Sequence, residues 1–386
     1  MNVNVKFVLS GIETNNKGAE LMLYAILHEI EKKYPEAEIY VPIFAIKQGL
    51  SYIQTNLNIK EKPFANIIRF AQKIHLYGIL RRLHIPYYWM FDNQIIKNAD
   101  YFIDASGFTF SDQWKPTNYN VEFWKYQLKG YKKQKTKIIF LPQAFGPAYL
   151  TNTQKEFHIL NQYADIIMPR EKISQNYLIE NKVNPDKIKM YTDFTSSIKG
   201  VFPKQYSHLR NGVCIIPNMR MIDKGTISLN NYLILLEKII EKVSSEGHIT
   251  YFLNHEGIED EKLAYLCKQR LQHPIEVVTG LNALEVKGLI ESSYLCISSR
   301  FHGVASALNS AVPCLATSWS HKYAELFKDY GMNDNILKLD DLQACIEKVE
   351  KYLAKDKNSL IRQELKMRIP QIQNETKEMW NTVWSI

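Results

Sequence analysis

Tyr294-Leu295-Cys296-Ile297-Ser298-Ser299-Arg300-Phe301-His302-Gly303-Val304-Ala305 reads as a strand that runs into a helix. Tyr294 to Ile297 is an apolar run of strand length, and Gly303 to Ala311 is a helix of small residues. An arginine and a histidine two residues apart therefore stand at the C-terminal end of a strand, where a helix opens. In open α/β sheets that edge is where ligands bind. Arginine pairs bidentately with carboxylate or phosphate. Histidine is the side chain best suited to proton transfer near neutral pH. Together they point to an anionic substrate that has to be protonated. A salt-bridged arginine and a satisfied histidine at a capped helix start would read the same way. The next stretch weighs toward function: Ala311 to Thr317 gives a second strand end, and Lys322 stands at its exit, before a helix to Gly331.

Outward from this stretch the chain alternates. In its first half, strands are expected at Val3–Leu9, Glu38–Pro42, Tyr101–Asp104, Lys137–Leu141, Ile166–Met168 and Lys189–Tyr191. Helical periodicity lies between them at Ala19–Lys33, Asn120–Lys133 and Thr153–Tyr163. A break follows at Gly200–Asn211, and alternation restarts with strands at Val213–Ile216, Ile249–Leu253, Val277–Thr279, Tyr294–Ser298 and Cys314–Thr317. Helices at Asn231–Val243, Glu259–Leu271 and Ala283–Ile290 separate them. Alternating strand and helix predicts parallel sheets with right-handed crossovers. The expectation is an α/β protein of two Rossmann-like domains whose sheets face a central cleft. The first spans 1–205 and the second 206–358, and a C-terminal helix in 359–386 packs back on the first.

The chain of 386 residues has the length of two ordinary domains. Its five cysteines (Cys214, Cys267, Cys296, Cys314, Cys345) are scattered and form no C-x-x-C, which fits neither a disulfide framework nor a zinc cage. No D-x-D stands where a metal–nucleotide site needs one, so no metal is expected. The net charge of +8 is compatible with nucleic acid, an anionic substrate or an acidic membrane face, and nothing beyond charge signals nucleic acid. Met1 to Ser10 reads as a first strand rather than a signal peptide, and no apolar run approaches a spanning helix, so a cytoplasmic location is expected.

Arg300-Phe301-His302-Gly303, the small-residue helix, Val312-Pro313 and then Lys322 resemble the polysaccharide pyruvyl transferase family. The N-terminal end is similar too: a strand to Ser10, Gly11, the turn Asn15-Asn16-Lys17-Gly18-Ala19-Glu20 and a helix from Leu21. The resemblance spans roughly Val5 to Gly331. It implies the GT-B architecture and phosphoenolpyruvate as donor. It also implies capsule or exopolysaccharide biosynthesis as the setting and no separate cofactor. The enol carbon of that donor becomes electrophilic once its methylene is protonated, and His302 is the candidate acid. Two hydroxyls of one sugar then close a cyclic ketal with loss of phosphate. Arg300, Arg220, Lys322 and His255 are the candidates for holding the donor carboxylate and phosphate. Glu20, Asn16 and Asp104 are the candidates for the acceptor sugar, and the same positions serve equally as helix caps. By family frequency the ketal bridges the 4 and 6 hydroxyls of galactose.

Gly11 to Gly18 lacks the G-x-G-x-x-G spacing of a dinucleotide site. Lys62 to Phe91 is basic and aromatic with near-helical apolar spacing. Both a peripheral membrane helix and a core helix with a solvated basic face fit that pattern. The first would suit an acceptor on undecaprenyl diphosphate at the inner face of the plasma membrane. The rival from the same architecture is a nucleotide-sugar glycosyltransferase, with Glu325 gripping a ribose; a non-catalytic glycan-binding relative is the third reading.

Overall fold

The computed structural model describes residues 4–41, 57–61, 74, 76–83, 95–318 and 322–386. The chain forms two compact units. The first comprises Met1–Thr14, Met22–Phe194 and Glu378–Ile386, and the second Asn15–Leu21 and Thr195–Lys377. The changeover at Phe194/Thr195 comes about ten residues before the expected boundary near 205. The reason is hydrogen bonding: Val201 N donates to Leu284 O, and Gly200 N donates to the Glu291 carboxylate at 3.0 Å. The connecting stretch is thus already part of the second unit.

Chain order in the first half is β1 Lys6–Ser10, α1 Lys17–Lys33, β2 Glu38–Val41, β3 Asn58–Glu61, α2 Leu76–Arg82, β4 Tyr101–Asp104, α3 Asn118–Lys133, β5 Lys137–Gln143, α4 Thr151–Tyr163, β6 Ile166–Pro169 and α5 Lys172–Glu180. The strands form one parallel sheet in the order β3-β2-β1-β4-β5-β6. Parallel strands covered on both faces read as continuous apolar runs, and β4 and β6 are buried along their whole length. The expected strand at Lys189–Tyr191 is instead an extended segment that joins β6 through the single Ile167–Ile188 bridge. Lys189 and Met190 are exposed, and among the described residues no second strand pairs with the segment. Trp384 packs within 6.2 Å of Phe7, Tyr34 and Tyr101, which accounts for the chain's last residues in this unit. Of Lys62–Phe91, only Ile74 and residues 76–83 are described, so the membrane-helix expectation lies largely outside the described residues.

The second half continues with β7 Val213–Ile216, α6 Arg220–Asp223, α7 Leu229–Ser245, β8 Thr250–Leu253, α8 Gly257–Arg270, β9 Glu276–Val278, α9 Ala283–Glu291, β10 Leu295–Ser298, α10 Phe301–Asn309, β11 Cys314–Ala316, α11 Lys322–Asp329, α12 Leu342–Leu353 and α13 Lys355–Trp384. Its sheet is parallel, in the order β11-β10-β7-β8-β9. Helix α7 shows how local sequence meets packing. Ser228 caps it by accepting from Asn231 N, and Tyr232, Leu235, Leu236, Ile239, Ile240 and Val243 line its buried face. The five cysteines are all buried and free. Cys214, Cys296 and Cys314 lie side by side across β7, β10 and β11 as small core residues. Among the described residues no helix is long and apolar enough to cross a membrane.

Candidate functional site

The strand ends of the second unit converge. Asn218, Ser299 and Thr317 follow β7, β10 and β11 and tie those ends together. The Asn218 amide donates to Ser299 O at 2.8 Å, and the Tyr323 hydroxyl donates to the same oxygen at 2.7 Å. The Ser299 hydroxyl bonds Tyr232 and Thr317. These groups are almost wholly buried, so satisfying all of them fixes the loops firmly.

Arg300 is the N-cap residue of α10 and projects from this frame. Its Nε donates to Asp260 Oδ2 at 2.7 Å, its Nη2 reaches the same oxygen, and its Nη1 meets Glu256. Asp260 also accepts from Met219 N at 2.9 Å. Burial pushes the Asp260 carboxyl up to about 7 and pulls the Arg300 guanidinium down to about 10. Burial therefore outweighs the pairing at both ends, and the contact limits a cost that it does not cancel. The sequence offered Arg300 as a grip for an anionic ligand; three of its five N–H donors face two carboxylates of its own chain. Those carboxylates carried a signal that sequence reading passed over. Glu256 and Asp260 are four residues apart where a helix starts after a strand, one as the N-cap and the other on the first turns of that helix.

His302 lies on the first turn of α10, its ring edge-on to Phe301 at 5.2 Å. His255, at the exit of β8, is 3% exposed. Its Nδ1 is buried with no hydrogen-bond partner among the described residues. Burial holds the His255 imidazole well below the usual histidine range, helped by the positive charges of Arg300, His302 and Lys17. His255 is therefore neutral at neutral pH. Lys322 opens α11 with its ammonium 5.8 Å from the Phe301 ring. Arg220 sits on α6, where its side chain is 45% exposed and pairs with Asp223 at 3.2 Å.

Asn15–Leu21 belongs to this second unit rather than to the first domain, where Asn16 and Glu20 were expected. Lys17 N donates to His255 O at 3.1 Å, and Asn16 forms an antiparallel bridge with Glu256. The Asn16 side chain caps α1, accepting from Gly18 N at 2.9 Å and Ala19 N at 3.3 Å. Glu20 is buried and pairs with Lys17 at 2.7 Å. Lys17 and Gly18 lie inside the N-terminal turn motif, where neither residue type signals a task by itself. Gly18 faces the His302 ring so closely that a Cβ there would lie 2.1 Å from Nδ1.

Asp104 belongs to the first unit, at the end of β4. It is fully buried and accepts from Ser106 Oγ at 2.8 Å and from the Gln143 amide at 3.0 Å. Burial raises its carboxyl above the usual range, against the pull of those hydrogen bonds. Among the described residues no group of three or more His, Cys, Asp or Glu side chains is arranged to hold a metal ion.

The sequence profile of the polysaccharide pyruvyl transferases matches residues 16–321. The chain belongs to the polysaccharide pyruvyl transferase family. That match takes in Asn16 through Glu20, His255, Arg300 and His302, the residues gathered above. No curated protein matches significantly. Among solved structures, a putative UDP-N-acetylglucosamine 2-epimerase from Listeria monocytogenes is similar at 12% identity and a TM-score of 0.63, over 99% of this chain and 96% of that one. Anabaena HepE in complex with UDP and glucose is similar at 11% identity and a TM-score of 0.60, over 99% and 100%. A trehalose-6-phosphate protein from E. coli bound with UDP-2-fluoro glucose follows at 9% identity and 0.59, over 99% of each chain. At such identities the likeness shows the fold alone, and the fold is GT-B. The family is one of transferases acting in polysaccharide biosynthesis.

Proposed function

We propose that this pyruvyl transferase uses phosphoenolpyruvate as donor and closes a cyclic pyruvate ketal on two hydroxyls of one sugar. The observation that carries the reading is the gathering of Lys17, His255, Arg300 and His302 in the second unit. A donor that carries a carboxylate and a phosphate would bind to the N–H donors of this group that Glu20, Glu256 and Asp260 leave over. His302 protonates the donor methylene, leaving a cation at the enol carbon. One sugar hydroxyl adds there and gives up its proton. The C–O bond to phosphate then breaks, and inorganic phosphate leaves with the bonding pair. The second hydroxyl adds to the regenerated cation, loses its proton and closes the ring.

Arg220 and Lys322 hold the donor's anionic groups, Lys322 as a point charge and Arg220 through its planar fork. Arg300 adds the two N–H donors that its carboxylate partners leave over, and His255 offers Nδ1. No cofactor beyond the donor takes part. The acceptor is a sugar with hydroxyls placed for a six-membered ring, galactose at positions 4 and 6, on a polysaccharide precursor linked to undecaprenyl diphosphate. In this reading the protein works in the cytoplasm, against the inner membrane face.

Ligand-dependent unfolding tests the donor. A ligand bound only to the native state at 100 times its Kd adds about 2.7 kcal/mol of stability. Phosphoenolpyruvate should therefore raise the Tm of wild type and not of Arg220→Ala. A rise with UDP-glucose and none with phosphoenolpyruvate would overturn the reading in favour of a nucleotide-sugar transferase.

A further inference from the structure

We propose that Gly18 is a positioning residue for the pyruvyl transfer: its missing side chain makes the seat against which the His302 ring is set. The inference rests on the reading of His302 as the general acid. The geometry itself does not depend on that reading. A Cβ built on Gly18 would stand 2.1 Å from His302 Nδ1, 2.6 Å from Cγ and 3.0 Å from Cβ. Ordinary contact begins near 3.4 Å, so an alanine there obliges the ring to retreat by more than about 1 Å. Gly18 does not yield easily. Its N–H bonds the Asn16 side chain, Lys17 N bonds His255 O, and Asn16 bridges to Glu256. His302 is held from its own side, since Arg300 N and O both bond the Ser298 hydroxyl where α10 begins. With both backbones anchored, the ring is the part that moves.

Nothing in the backbone of Gly18 explains the glycine. It has no left-handed φ; the chain's positive-φ glycines are others. It lies in the first turn of a helix, where alanine is the better helix former. Among the described residues, the only neighbours that a Cβ would meet within 3 Å belong to His302. Proton transfer needs the acid within hydrogen-bond reach of the carbon that it protonates. A displacement of about 1 Å is enough to cost on the order of 100-fold in rate.

The test is Gly18→Ala. The expected result is a kcat lower by about 100-fold with the KM for phosphoenolpyruvate within about threefold of wild type, because the donor-holding cations stay in place. A second readout is independent of turnover. The imidazole signals of His302, assigned in histidine-labelled protein by their loss in His302→Gln, should shift in Gly18→Ala. If His302→Gln keeps wild-type turnover, the general-acid reading falls, while the ring signals still decide whether Gly18 seats His302. Unshifted ring signals would overturn the contact, and shifted signals with wild-type kcat would overturn the positioning role. Should Gly18→Ala fail to fold, the double variant Gly18→Ala/His302→Ala removes the clash and should fold again. If it does not, His302 is not what Gly18 makes room for.

Discussion

Replacing Asp260 by alanine strips Arg300 of its buried partner, and the structure says how costly that is. Asp260 is 1% exposed and the Arg300 side chain 13%. The variant leaves a guanidinium in the interior with only Glu256, whose side chain is 28% exposed, and it orphans Met219 N. Breaking a buried pair on one side costs about 3–5 kcal/mol, because the surviving charge stays desolvated. The surface pair Arg220–Asp223 supplies the contrast. Its side chains are 45% and 47% exposed, and Asp223→Ala should cost no more than about 1 kcal/mol. Urea unfolding of wild type, Asp260→Ala, Arg300→Ala and the double variant closes a thermodynamic cycle. The double variant should be less destabilised than the sum of the two single ones, since neither charge remains alone. If Asp260→Ala costs under about 1 kcal/mol, Arg300 has found water or another anion, and the buried clamp is refuted.

Three other outcomes follow from the same structure. His302→Gln should lower turnover by roughly two to four orders of magnitude with donor affinity retained; product made by wild type in heavy water should carry one added deuteron in its methyl group. His255 has a folded pKa well below its unfolded one, so below about pH 6.5 the unfolded chain binds a proton that the folded chain refuses. Stability should then fall by up to about 1.4 kcal/mol per pH unit as pH drops, and His255→Gln should flatten that limb in pH-dependent unfolding. Glu156 lies buried in α4 with Oε2 unpartnered among the described residues, and burial pushes its carboxyl up to about 8. Between pH 4.5 and 8 the folded state alone keeps that proton, so its contribution to stability falls as pH rises. Glu156→Gln should gain up to about 3 kcal/mol at pH 7 and nothing near pH 4.5, and an equal gain at both pH values would refute that cause.

Much of the architecture was legible because parallel strands covered on both faces leave a simple signal. Tyr101–Asp104 and Val213–Ile216 were read to the residue, since each is a compact apolar run with turn residues beside it. Where that signal is missing, the reading failed. Strand β3 is Asn58-Ile59-Lys60-Glu61, with one apolar residue, and it holds its place through pairing with β2. Lys189–Tyr191 reads as a strand, but among the described residues it meets the sheet from one side only. The changeover between units at Phe194/Thr195 was invisible for a like reason: hydrogen bonds to α9, about 80 residues further on, draw the connection into the second unit.

The sequence by itself determined the alternation, the parallel sheets and the place of Arg300 and His302 at a strand exit. The placement of Arg300 and His302 depends on residues within one or two helical turns of each other, and the alternation on local runs and periods that recur along the chain. Tertiary structure decided what those side chains meet. Glu256 and Asp260 are 44 and 40 residues from Arg300 in the chain. They reach it because β8 and β10 flank β7 in the sheet, an order set by crossovers that no local pattern records. Likewise Gly18 touches His302 because the first turn of α1 packs with the second unit. A glycine in a helical pattern reads as a weakness of that helix. It becomes the seat of a histidine only when the far part of the chain folds against it.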